Sequence, residues 1–156
     1  MATLSVTHTE AITLNDREQG GTKTYTVASI ADVYKRTVTC PAGSDTTVAT
    51  FQALTSTSDN AIDLELTKYI RVTNLDSSNS VNLSLQVAGA EGGTANMSTT
   101  ILLGAGETFT MGTPHDGIAL SDASAGIVVS LNDLESILID PGSNAVAVEV
   151  FVASTA

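Results

Sequence analysis

Hydrophobic and polar residues alternate along this chain with a period of two, the spacing that sends successive side chains to opposite faces of a β-strand. In Ser80-Val81-Asn82-Leu83-Ser84-Leu85-Gln86-Val87, four aliphatics share one face and Ser80, Asn82, Ser84 and Gln86 share the other. The run predicts a strand with one buried side. Residues 145–152 follow the same rule: Val146, Val148, Val150 and Val152 point one way, Ala145, Ala147, Glu149 and Phe151 the other, so Phe151 needs shelter of its own. Shorter runs predict strands at Leu4-Val6-His8, Tyr25-Val27, Val38-Cys40, Val48-Phe51, Tyr69 to Thr73, Ile101-Leu102-Leu103 and Thr108-Phe109-Thr110. They are rich in Thr, Val, Ile and aromatic residues, which suit a pleated, half-buried surface.

Turn chemistry separates these runs at Asn15-Asp16, Gly20-Gly21, Pro41-Ala42-Gly43, Asp76 to Asn79, Gly92-Gly93, Gly104-Ala105-Gly106 and Pro141 to Asn144. Short strands punctuated in this way describe a sandwich or a small barrel. The expected fold is an all-β, antiparallel β-sandwich of jelly-roll-like form in a single domain over residues 1–156, with at most one short helical turn. The one segment that fits such a turn is Ser29 to Tyr34, where Ser29 is a cap with an acid three residues on and Ile30, Val33 and Tyr34 share a face. The same residues also fit a bulged strand running into Arg36-Thr37-Val38.

Two segments echo each other. Asp63-Leu64-Glu65 precedes Tyr69-Ile70-Arg71-Val72, a turn ending in Ser78-Asn79, and the strand from Val81. Asp133-Leu134-Glu135 precedes Ile137-Leu138-Ile139, a turn ending in Ser143-Asn144, and the strand from Val146. Each reads as strand, turn, strand, and implies two similar hairpins in opposed sheets.

Composition changes the picture through charge. Charged residues make up only 15% of the chain, yet 17 acids against six bases leave a net charge of −11. All six cations (Arg17, Lys23, Lys35, Arg36, Lys68 and Arg71) lie at or before position 71, against eight acids there; the remaining nine acids follow with no cation among them. A stretch without Lys or Arg offers phosphates no basic groove, so nucleic-acid and anionic-membrane binding are not expected. The same split makes the six cations the candidate attachment surface and the later segments the candidates for exposure. The single cysteine, Cys40, forms no intrachain disulfide and suits a small buried position. No apolar run approaches a membrane span, and the N-terminus lacks a signal-peptide pattern, which implies intracellular synthesis.

Candidate chemistry is sparse. His115-Asp116 is half of a general-base arrangement without a nucleophile signature. Asp59-Asn60 with Asp63 and Glu65, and Asp76 to Asn79, cluster oxygens of the kind calcium takes, but neither follows a loop pattern for it. Two histidines, His8 and His115, make a poor basis for zinc or copper. Sugar stacking calls for exposed aromatic rings; Trp is absent, and Tyr25, Tyr34 and Tyr69 all lie in predicted ordered runs. Asn82-Leu83-Ser84 and Asn96-Met97-Ser98 match the glycosylation triplet. No catalytic residue, cofactor or metal ligand is therefore assigned, and the chain is not expected to be an enzyme.

Three segments taken together carry a family likeness: Tyr34 to Pro41, Tyr69-Ile70-Arg71-Val72-Thr73-Asn74-Leu75-Asp76, and Leu102-Leu103-Gly104-Ala105-Gly106-Glu107-Thr108-Phe109. A strand ending in Arg-Val-Thr-Asn, a Ser/Asn turn, an aliphatic strand and then Leu-x-x-Gly-Glu-x-Phe resembles the small β-sandwich virion proteins of tailed, especially marine, phages. The likeness extends in style over residues 30–153. It implies a capsid decoration (cement) protein that binds the major capsid protein or other virion proteins as a homotrimer, made in the host cytoplasm and located in the virion. The alternative is a tail or receptor-contact module that binds glycans. No functional residue carries over from the family.

Overall fold

The computed structural model describes residues 2–52, 62–63, 66–87, 97–112, 119–120 and 132–156. These form β1 (Ala2–Glu10), β2 (Thr13–Leu14), β3 (Arg17–Glu18), β4 (Gly21–Cys40), β5 (Thr46–Gln52), β6 (Ile62–Asp63), β7 (Thr67–Asn74), β8 (Val81–Val87), β9 (Met97–Leu103), β10 (Thr108–Gly112), β11 (Ala119–Leu120), β12 (Asn132–Asp140) and β13 (Val146–Thr155). No helix occurs among the described residues.

Two sheets face each other, one ordered β1-β4-β13-β7-β10 and the other β6-β5-β12-β8-β9. Without β1 and the short β6, four strands (β4-β13-β7-β10) face four (β5-β12-β8-β9), and consecutive strands of these eight alternate between sheets except for the β8–β9 hairpin. That is the eight-strand arrangement of a jelly roll, and the expected fold class is what the chain adopts. The alternation supplies the core. Val81, Leu83, Leu85 and Val87 of β8 and Val146, Val148, Val150 and Val152 of β13 are all buried, and all but Val87 pack in one cluster with Ile70, Val72, Ile137 and Ile139. Cys40 joins that cluster fully buried, and burial pushes its thiol pKa up.

The echoing segments are not hairpins. β7 pairs with β13 and β10, while β8 pairs with β12 and β9, so each strand–turn–strand unit crosses from one sheet to the other. The β7–β8 unit then pairs with the β12–β13 unit through both sheets. The turns 41–45, 75–80, 104–107 and 141–145 all make such crossings, and they meet at one end of the sandwich. There the Gly43 N–H donates to the Gly142 carbonyl at 2.6 Å and the Asn144 amide to Asn79 Oδ1 at 3.1 Å. Fully buried Asn74 ties the end together, its side-chain N–H groups donating to the carbonyls of Asn79 (2.8 Å), Gly104 (3.0 Å) and Leu103 (3.3 Å).

The segment Ser29–Tyr34 is strand, not a helical turn. Tyr25-Val27 and Val38-Cys40, separate in the sequence pattern, belong to the single 20-residue strand β4. Ser29 has φ of 60°, and β4 carries one extra residue close to it against each neighbour: Ala2 and Leu4 of β1 oppose Ile30 and Val27, and Ser154 and Thr155 of β13 oppose Asp32 and Ile30, which skips Ala31. This bulge bends the strand. The half after it lies in the body, and the half before it turns back with β1 as a hairpin arm. The arm's inward residues Val6, Val27 and Ile30 form a second, smaller cluster with Tyr69 and Ala153 on the outer face of the first sheet.

Candidate functional site

The outer face of the first sheet is built from the residues that alternate with its core row. Register places Phe151 of β13 between Lys35 of β4 and Arg71 of β7, with Glu149 one pleat away. The Glu149 carboxylate takes both cations, Lys35 Nζ at 3.2 Å and the Arg71 guanidinium. Phe151 meets the edge of Tyr69 with ring centroids 6.0 Å apart, and the Arg71 guanidinium carbon stands 5.7 Å from the Phe151 centroid. Phe151 thus finds its shelter under Arg71 and the arm. Arg71 Nε is buried without a hydrogen-bond acceptor among the described residues.

The arm stands beside this face. Leu4, Ser5, Val6 and Thr7 of β1, together with Lys35, Tyr69, Arg71 and Phe151, line an open cleft of about 280 Å³. Beyond the cleft the arm runs out into solvent, with every residue from Thr7 to Gln19 exposed. Threonine hydroxyls bond across it at Thr7–Thr24 (2.9 Å) and Thr9–Thr22 (3.2 Å), and the His8 ring stacks on Tyr25 at 6.1 Å. Asn15 and Asp16 take φ of 52° and 60°, as a two-residue hairpin turn of the mirror-image type requires. The Glu18 carboxylate closes the tip, accepting from the N–H groups of Gly20 (2.7 Å) and Ile12 (3.2 Å), and these bonds hold its pKa below the ordinary value of 4.5. A side chain at position 20 is sterically barred, since a Cβ there lies 2.0 Å from the Glu10 carbonyl oxygen.

Of the six candidate attachment residues, the fold brings together Lys35 and Arg71. Arg17 and Lys23 lie on the arm, Arg17 beside its tip turn and Lys23 opposite His8. Arg36 points to the other face of β4, its guanidinium carbon 4.9 Å from the Tyr34 ring centroid. Lys68 is half-buried near the start of β7. The charge split of the sequence is not a split in space, because acidic-half β13 lies between β4 and β7 and brings Glu149 to the cations. Alternation had already put Glu149 and Phe151 on one face, and that is the signal for this cluster; nothing local marks β1 as its wall.

The remaining candidates separate cleanly. His115-Asp116, Asp59, Asn60, Glu65 and the Gly92-Gly93 turn lie outside the described residues, as does Asn96. Asp63 accepts from the Leu66 N–H at 3.2 Å. Asp76 Oδ1 accepts from the N–H groups of Asn79 (2.7 Å) and Ser78 (2.8 Å), which lowers its pKa; the carboxylate caps its own turn. Among the described residues no group of three or more His, Cys, Asp or Glu is placed to hold a metal ion. Tyr69 is buried, the Tyr34 hydroxyl donates to the Val48 carbonyl at 3.1 Å, and Tyr25 is half-buried on the arm. Asn82 is exposed on the outer face of the second sheet. Searches against protein-family models, curated proteins and solved structures found no match to this chain.

Proposed function

We propose that the chain is a non-enzymatic virion structural protein, a capsid decoration protein that assembles as a homotrimer on the outer shell and contacts the major capsid protein. The observation that carries this reading is the exposed arm on a well-packed body. A two-stranded ribbon alone is marginally stable in water, and one exposed from Thr7 to Gln19 gains order by lying on another protein surface. The jelly-roll body agrees, as a fold-level analogy, with shell proteins, among which this architecture is common. The resemblance of its strand and turn segments to small phage virion proteins points the same way. The test is particle chemistry: the purified chain should run as a trimer in light scattering and cosediment with empty shells of the phage that encodes it. A monomer that never cosediments overturns the proposal.

A second reading, a tail or receptor-contact module that binds glycans, is favoured by the His8–Tyr25 ring pair on the projecting arm. A glycan-array signal abolished by Tyr25→Ala would support it over the first.

A further inference from the structure

We infer that the cleft between the arm and the body takes an extended segment of a partner protein, added as a strand to β1, with an acidic side chain reaching Lys35 and Arg71. The inference rests on the attachment role proposed above and names where and what the chain grips. The argument starts from the cleft wall. Successive residues of a strand point to opposite faces, so Leu4, Ser5, Val6 and Thr7 can all line one cleft only where it runs along the strand's edge. β1 is terminal in its sheet, bonded to β4 on one side and to no other strand among the described residues. From Leu4 to Thr7 it has neither a charge nor a proline, the usual devices that blunt an exposed edge. An edge of this kind binds by strand addition, in which main-chain hydrogen bonds give affinity and alternate side-chain pockets give specificity.

The floor sets the chemistry of the occupant. Tyr69 and Phe151 offer apolar rings to one side chain of the incoming strand. Lys35 and Arg71 together outweigh Glu149 by one charge, a local positive excess in a chain whose net charge is −11. The Lys35 side chain is 57% exposed and that of Arg71 34%, so both reach solvent from the floor of the cleft. A basic segment would be repelled there; a carboxylate gains charge-assisted bonds.

The full chain, isotopically labelled, is titrated with the capped heptapeptide Thr-Val-Thr-Asp-Thr-Val-Thr. Controls replace its Asp by Lys, or N-methylate alternate residues, one peptide for each parity. The acidic peptide should shift the backbone amide resonances of Leu4 to Thr7 saturably and slow their hydrogen exchange. Lys35→Gln should weaken binding about tenfold. The Lys peptide and one N-methylated parity should fail to bind. No shift at millimolar peptide, equal binding of the Lys peptide, or binding of both N-methylated forms would overturn the inference. Self-association that the acidic peptide competes away would assign the cleft to a second copy and overturn the partner. A chain that cosediments with shells but ignores the peptide keeps the proposed function and loses this inference; the reverse result separates the two the other way.

Discussion

The two halves of β4 alternate in much the same way and meet opposite fates. Val38 and Cys40, after the bulge, face the second sheet and join the main core, whereas Tyr25 and Val27, before it, join the smaller cluster with Tyr69, Ala153 and Phe151. Thr22, Lys23, Thr24 and Thr26 of the first half stay exposed. Alternation specifies a strand; whether its apolar side has an opposing layer depends on a distant part of the chain. The body therefore holds the larger core, and the arm keeps only the smaller cluster and an exposed tip.

That contrast breaks hardest at the two clusters. Leu83→Ala, at a fully buried site, should cost about 2–5 kcal/mol, read as a lower denaturant midpoint for the whole chain. Val6→Ala in the arm cluster should cost about 1–2 kcal/mol and appear as faster amide exchange in residues 2–30 with the global midpoint nearly unmoved. Equal global losses from both would mean that arm and body unfold as one unit. Asn74→Ala comes next, at about 1–3 kcal/mol, because it strands carbonyls at the end where four crossings meet. The body's midpoint should fall while trypsin cleavage at Arg17 and Lys23 keeps its rate.

Ser29→Val tests the hinge between the regions. A left-handed residue costs roughly 1–2 kcal/mol, and a β-branched side chain tolerates φ of 60° less well than serine does. The expected outcome is an arm that opens more often: trypsin should cut faster at Arg17 and Lys23, with cuts at Lys68 and Arg71 unchanged. A variant as resistant as the parent would show that the bend is held by the arm's packing alone.

The sequence reveals the body far better than the arm. The rows Val81–Val87 and Val146–Val152 are legible because burial on one face leaves a strict period of two. The bend at Ser29 is not, since serine carries no mark for a positive φ of the kind glycine or asparagine does, and its cap-like surroundings fit a helical turn equally well. The Asp76–Asn79 and Pro141–Asn144 turns were legible as turns, but a turn within one sheet and a crossing between sheets use the same residues. Which one forms is decided by pairing partners elsewhere in the chain, β13 for β7 and β12 for β8. Of the candidate site, Lys35, Arg71, Glu149 and Phe151 follow from faces and register, whereas the β1 wall depends on how the arm folds back.

The smallest expected effect compares one carboxylate from each region. Glu18 at the arm tip and Asp76 at the crossing end both have folded pKa values below their ordinary 4.5 and 3.8, each through backbone N–H donors, Gly20 foremost for Glu18 and Asn79 foremost for Asp76. A lowered pKa means that each contribution is complete above the ordinary value and is lost as pH falls through the folded one. Both groups are solvent-exposed, so the change belongs to their turns and should leave the core standing. Acid titration by NMR should move the Gly20 amide with a midpoint below 4.5 and the Asn79 amide with one below 3.8. Glu18→Gln should abolish the first transition and leave the second. If the Gly20 midpoint lies at or above 4.5, the carboxylate does not hold the tip, and the arm's order would then rest on its threonine ladder and the Val6 cluster.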